Sequence, residues 1–193
     1  MLAWRFYSDG DGAALAAAAV PALNAVRIYA SVRSAEAAAG AGGGADARTF
    51  LNTMSRTGDP REALGGPLLY TFVLLGCTAA GFRRPWAVVA LAQMAVGDGL
   101  ADLVGRRWGG RKWFCRADKS YVGSAAFVAG AAAASYGLLY WLGLADAGDA
   151  DLAATLVAIS AACAAVEVAP WLEWADDNLT VPLAGAVLAY ALL

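Results

Sequence analysis

The chain has 193 residues, of which 60 % are hydrophobic and 16 % charged, and its formal net charge is −2. Soluble domains usually carry about 45–50 % apolar and about 25 % charged residues, so this composition argues against a soluble enzyme, a disordered chain and a nucleic-acid binder. Histidine is absent, which removes a Ser-His-Asp triad, His-ligated zinc or haem and any imidazole base.

Mean hydropathy is +0.54, and six apolar stretches approach the roughly 20 residues of a membrane helix. The first covers 13–32 and is interrupted by Pro21, Asn24 and Arg27. An Ala/Gly-rich segment with Gly40 and Gly42 to Gly44 follows and predicts a flexible loop over 33–50. The second stretch is 64–82, and the third, 86–105, carries Asp98 and Asp102. The fourth is 121–144, and the fifth, 151–172, encloses Glu167, for which Arg27 is a candidate partner. The last, 180–193, is short of the roughly 30 Å hydrocarbon core. Strand alternation is absent, so the pattern predicts an all-α, polytopic membrane bundle of about 5–6 transmembrane helices. The 193 residues read as one membrane domain. Ala, about a quarter of the chain, lets such helices approach closely. Trp86, Trp141, Trp171 and Trp174 fall at predicted span ends, where an aromatic belt places them. Cys77, Cys115 and Cys163 fit neither a disulfide framework nor a Cys-x-x-Cys site.

If every span crosses, loops 33–63, 106–120 and 173–179 share one side. They carry Arg33, Arg48, Arg56, Arg61, Arg106, Arg107, Arg111, Lys112, Arg116 and Lys119. The other side has Arg5, Arg83 and Arg84. Such a bias predicts that the first side faces the cytosol or its equivalent, such as the plastid stroma.

The same side gathers the residues with chemical potential. Asp98 and Asp102 lie four apart, on one helix face. Carboxylates at membrane depth are costly, and by default they suggest function. The alternative is a wet helix end where Asp102 pairs with Arg106. Residues 106–119 follow, with six cations and the single acid Asp118. Carboxylates bind Mg²⁺ and cations neutralise phosphoryl oxygens, so this loop suits a polyphosphate and its metal. Its alternative role is to set topology or attract anionic lipid. Asp176, Asp177 and Asn178 form a third cluster, either a hard-cation ligand set or a cap for the last helix, with Pro182 in its first turn. No P-loop and no G-x-G-x-x-G is present.

Four strings carry a resemblance. Met54 to Glu62 (MSRTGDPRE), followed by Gly66-Pro67-Leu68-Leu69-Tyr70, resembles a stretch of plant and algal phytol and farnesol kinases. Gly97-Asp98-Gly99-Leu100-Ala101-Asp102-Leu103-Val104-Gly105-Arg106-Arg107 resembles that family's central motif. Lys119-Ser120-Tyr121-Val122-Gly123-Ser124 and Asp176-Asp177-Asn178-Leu179-Thr180-Val181-Pro182-Leu183 resemble its two later elements. The second and third strings are also similar to the wider polyprenol kinase group, dolichol kinases included.

The resemblance implies phosphoryl transfer from a nucleoside triphosphate, typically CTP, to an isoprenoid alcohol such as phytol, farnesol or geranylgeraniol. It implies Mg²⁺ or another divalent cation, a chloroplast membrane and a place in tocopherol synthesis. On the matching positions, Asp98 is implied as general base or metal ligand, with Asp102, Asp176, Asp177 and Asn178 on the metal. Lys119, Arg106, Arg107, Arg111 and Lys112 would meet phosphates, Ser120, Gly123 and Ser124 would shape the nucleotide loop, and Arg56, Asp59 and Arg61 would close the site. The family has further helices and a His-containing basic segment upstream, which implies a chain shortened at its N-terminus. Two rivals are a CDP-diacylglycerol synthase-like cytidylyltransferase, whose His-Gly-Gly element is missing, and a non-catalytic membrane protein or transporter.

Overall fold

The structure is a computed structural model and describes residues 1–8, 12–38, 65–172 and 175–193. Among them there are helices and no strand: α1 (Gly12–Ala38), α2 (Gly66–Gly81), α3 (Pro85–Ala92), α4 (Asp98–Trp108), α5 (Tyr121–Trp141), α6 (Ala150–Glu167) and α7 (Asp177–Leu192). A π-helical turn, Gln93–Gly97, joins α3 to α4, and 3-10 turns occupy Leu2–Phe6 and Pro170–Leu172. Four helical runs have the length and hydropathy to cross a bilayer: Gly12–Ser34, Pro85–Trp108, Tyr121–Trp141 and Ala150–Glu167. Gly66–Gly81 and Asp177–Leu192 are apolar but shorter. The chain is an all-α membrane bundle, as its hydropathy predicts.

Chain contacts define two compact units, Gly10–Ala79, and Met1–Asp9 together with Ala80–Leu193. In the first, α1 runs unbroken through Pro21 to Ala38, so residues 33–38 of the expected loop are helical. Proline removes one backbone hydrogen bond, and a membrane helix tolerates that loss. Asn24 Nδ2 reaches Thr71 Oγ1 of α2 at 3.4 Å, and the Thr71 hydroxyl donates to the Pro67 carbonyl at 2.9 Å. These contacts satisfy polar side chains inside apolar helices.

The second unit is built around the run α3, π-turn and α4. Residues Ala87 to Ala92 are fully buried, as befits a helix that is apolar all round. α3 packs on α7, α4 packs on α5, and α6 lies between α5 and α7. Gln93 sits at the centre of these helices. Its Nε2 donates to Ser160 Oγ at 3.0 Å and Ser135 Oγ at 3.4 Å. Its backbone carbonyl accepts from the Asp98 N–H, the wide bond that closes the π-turn.

Each connection at the site end begins its helix with a side-chain cap. Ser120 Oγ accepts from the Gly123 N–H at 3.1 Å and starts α5. Asp176 Oδ1 accepts from the Asn178 N–H at 2.9 Å and starts α7. Pro182 therefore lies inside α7 rather than in its first turn. At the opposite end, Arg83 has φ 56° and donates to the carbonyls of Trp4, Arg5 and Tyr7. Trp141 Nε1 donates to the Leu2 carbonyl at 3.0 Å. The first residues of the chain are thus pinned to the end away from α7's start.

α4 and α5 approach closely at Gly123. A Cβ there would stand 2.9 Å from the Ala101 carbonyl oxygen and 3.0 Å from Ser120 Oγ. Gly137, on the same helix, has nothing within 4 Å of its notional Cβ. Gly123→Ala should therefore cost about 1–3 kcal/mol through overpacking, whereas Gly137→Ala should be neutral or stabilising by up to about 1 kcal/mol. Thermal unfolding of both variants in one detergent reads the difference; equal midpoints would contradict the close approach.

Candidate functional site

Residues 109–120 fold back on themselves as a compact loop. Lys112 and Ser120 form an antiparallel bridge, Tyr121 N–H donates to the Arg111 carbonyl, and Trp113 N–H donates to the Lys119 carbonyl at 3.0 Å. The Trp113 ring lies against Tyr121 with centroids 4.0 Å apart, and its Nε1 donates to Ser124 Oγ at 3.0 Å. Arg116, buried, grips Asp118 with two hydrogen bonds of 3.1 Å. The Arg116 hydrogen bonds hold the Asp118 carboxyl below its usual range. Cys115 Sγ donates to the Val168 carbonyl at 3.6 Å and ties the loop to the end of α6. The thiol is a tether in this position.

The loop's last cation is its most constrained. Lys119 Nζ donates to Glu167 Oε1 at 2.7 Å and to Asp177 Oδ2 at 2.8 Å. Burial alone disfavours the ammonium, but the carboxylates of Glu167 and Asp177 outweigh it and lift Lys119 above its ordinary range. Glu167 is 2 % exposed, and its Oε2 is buried with no hydrogen-bond partner among the described residues. Asp98, at the start of α4, is near enough for its charge to act on Glu167. The core of the site is thus one ammonium held by two carboxylates, drawn from the loop, α6 and α7.

The residues singled out in the sequence separate into groups. Lys119 and Asp177 come together, and the charge of Asp98 acts on their neighbour Glu167. Asp102 pairs with Arg106 at 2.6 Å on an exposed helix face, in the i, i+4 geometry that its alternative reading describes. Asp176 caps α7, and Asn178 Nδ2 also donates to it at 2.8 Å. Arg107 lies over the Trp108 ring and Arg111 over the Tyr121 ring. Lys112 donates to the Asp118 carbonyl at 3.4 Å. Ser120, Gly123 and Ser124 shape the loop through the cap and the Trp113 contact. Arg56, Asp59 and Arg61 lie outside the described residues. Glu167 takes Lys119 as a partner. Gln93 has no counterpart in the sequence reading; a single amide inside an apolar run was its signal.

Among the described residues, no group of three or more Cys, Asp or Glu side chains gathers in metal-holding geometry. A magnesium ion that arrives on nucleotide phosphates needs only one or two protein carboxylates. Asp177 and the unpartnered Oε2 of Glu167 fit that smaller demand. A cavity of about 470 Å³, lined by Arg84, Trp86 and Tyr190, lies at the other end of α7 and includes none of these residues.

Comparison with known proteins adds a second line. The chain matches no family model. It matches no solved structure. It is 36 % identical over 196 aligned positions to a protein of Triticum aestivum named probable phytol kinase, chloroplastic, covering 100 % of this chain and 62 % of that protein. It is 35 % identical over 197 positions to the farnesol kinase, chloroplastic, of Arabidopsis thaliana, covering 100 % of this chain and 61 % of that protein. A probable phytol kinase 1, chloroplastic, of Glycine max is 32 % identical over 98 % of this chain. The chain spans about three fifths of the length of these relatives.

Lys119→Met would leave Glu167 buried without its cation and should cost about 3–5 kcal/mol. Because the folded state raises the Lys119 pKa, its contribution is complete below the unfolded value of about 10.4 and fades as pH rises past it. The stability gap between wild type and Lys119→Met should stay constant between pH 7 and 9 and narrow above about pH 10.4. Detergent unfolding at each pH measures it, and a gap that narrows already below pH 9 would contradict the pairing.

Proposed function

The chain is a relative of the phytol and farnesol kinases along its whole length, and from that premise we propose that it is a prenol kinase. In this reading it moves the terminal phosphoryl group of CTP, or of another nucleoside triphosphate, to the hydroxyl of an isoprenoid alcohol. The observation that carries the reading is Lys119, held at the end of apolar helices inside a loop of cations and beside Glu167 and Asp177.

The parts then divide the work. A long apolar alcohol lies along the helices, with its hydroxyl at the polar end. Lys119, Arg111 and Lys112 meet the phosphates, and Arg106 and Arg107 add positive charge beside them. Asp98 takes the proton from the hydroxyl as its oxygen attacks the terminal phosphorus. The bond to the bridging oxygen breaks, and the nucleoside diphosphate leaves with the electron pair. The products are a prenyl monophosphate and, from CTP, CDP. Asp177, with Asn178 beside it, would hold a divalent cation, which neutralises phosphoryl oxygens when bound. Asp102 and Asp176 keep their places on Arg106 and the α7 cap. The plastid names of the relatives support a chloroplast membrane, and the cation bias of the loops supports a stromal orientation for the site.

Membranes that contain the chain, supplied with labelled CTP, Mg²⁺ and phytol or farnesol, should yield labelled prenyl monophosphate. Asp98→Asn should lower that rate by about 100-fold or more while membrane insertion is unchanged. An active Asp98→Asn removes the base role. Absence of product from wild-type chain with either alcohol and with CTP or ATP removes the kinase reading.

A further inference from the structure

We propose that Glu167 is a further ligand-binding residue of this site, and that it gives up Lys119 in exchange for a divalent cation when a nucleoside triphosphate binds. The proposal rests on the phosphotransfer reading and deepens it. None of the four sequence strings contains Glu167. It reaches the site because α6 ends there, one residue before the loop tether at Val168.

The reason is charge. Glu167 and Asp177 both hold a single ammonium, and the Asp98 charge acts on Glu167 from α4, so the cluster is net anionic. A triphosphate that approaches Lys119 meets this negative field as well as the ammonium. Two of the three ammonium donors are already spent on Glu167 Oε1 and Asp177 Oδ2. Turning Lys119 toward a phosphate weakens those bonds. Asp177 can then turn to water, since it is only partly buried, but Glu167 is 2 % exposed and cannot. A buried carboxylate that loses its cation is strongly destabilised unless another cation replaces it.

Glu167 therefore ties two events together. Lys119 moves to phosphate readily only when a divalent cation arrives at Glu167, whose buried Oε2 already has no hydrogen-bond partner among the described residues. Metal and nucleotide must each strengthen the binding of the other, by the same factor. Removing the Glu167 charge breaks the tie in a distinctive direction. It frees Lys119, so triphosphate should bind better without metal and gain less from it.

The test is equilibrium binding of CTP, with ATP in parallel, to the full chain in nanodiscs, with and without Mg²⁺. Wild type should bind at least about tenfold more tightly with Mg²⁺, the size of a typical coupling. In Glu167→Gln the metal-free affinity should rise several-fold, and the Mg²⁺ effect should fall below about threefold, a loss of most of that coupling. Asp118→Asn removes an equal charge from an exposed place on the same loop, and should keep the wild-type Mg²⁺ effect. A Glu167→Gln that weakens binding alike with and without Mg²⁺, or that keeps the full effect, overturns the exchange and leaves Glu167 a structural partner of Lys119. Wild type that binds neither nucleotide in either condition overturns the nucleotide reading itself, and the exchange with it. If Glu167→Gln does not fold, Glu167→Asp, which keeps the charge and draws it back by one methylene, should show a reduced Mg²⁺ effect with Asp177 intact, and a full wild-type effect in it overturns the exchange.

Discussion

The ammonium of Lys119 joins three stretches of chain that are distant in sequence: the loop that follows α4, the last residue of α6 and the first residue of α7. Much of the local structure serves to deliver it there. The Trp113 N–H fixes the Lys119 carbonyl, the Trp113 ring packs on Tyr121, and Cys115 anchors the loop to Val168. A buried ion pair is weak evidence for stability, because desolvation offsets most of its attraction. Its stronger effect is on register. Glu167 accepts only a cation in that position, so α6, α7 and the loop must meet there or leave a buried charge unpaired.

Cations are used differently at the two ends of this unit. At the end away from Lys119, Arg5 and Arg83 donate to backbone carbonyls, and Arg5 also lies over the Trp141 ring. Those charges are engaged in holding the first residues of the chain. At the site end, Arg106, Arg107, Arg111 and Lys112 remain exposed, even where they touch a carboxylate or a ring. Hydrogen bonds to neutral carbonyls leave the charges of Arg5 and Arg83 in place, whereas Asp102, Asp118, Glu167 and Asp177 offset part of the charge at the site end, so the electrostatic asymmetry at the surface is smaller than counting Lys and Arg by loop suggests.

Hydropathy located the long apolar helices to within about two turns, with α3 and α4 read as one stretch, since burying about 20 apolar residues in a row leaves few alternatives. It also reported that Glu167 sits at depth. It could not report azimuth, which is why Lys119 was not read as a partner of Glu167. Asp98, Lys119 and Asp177 were singled out through their motif strings, and the Asp102–Arg106 pair was legible through its spacing. Asp176 was legible as a cap and as a ligand from the same three residues, and only the hydrogen bond to the Asn178 N–H separates the two. Gln93 and its turn were not legible. A π-turn has no residue signature of its own; it follows from how Ser135, Ser160 and the neighbouring helices close around one amide.

That turn also sets the direction in which α4 faces. It takes one residue more than an α-turn, so Asp98 stands one turn on from Gln93, where a regular helix would place Gly97. Forcing regular α-geometry on the same number of residues would rotate everything after the turn by about 100° relative to α3. Asp98 would then leave the neighbourhood of Glu167, although no site residue had been replaced. Deleting one residue from the stretch would instead let the helix close regularly with Asp98 still one turn from Gln93, so among descendants of this sequence a one-residue gap before the Gly-Asp-Gly string would be better tolerated than a change that straightens the turn at full length.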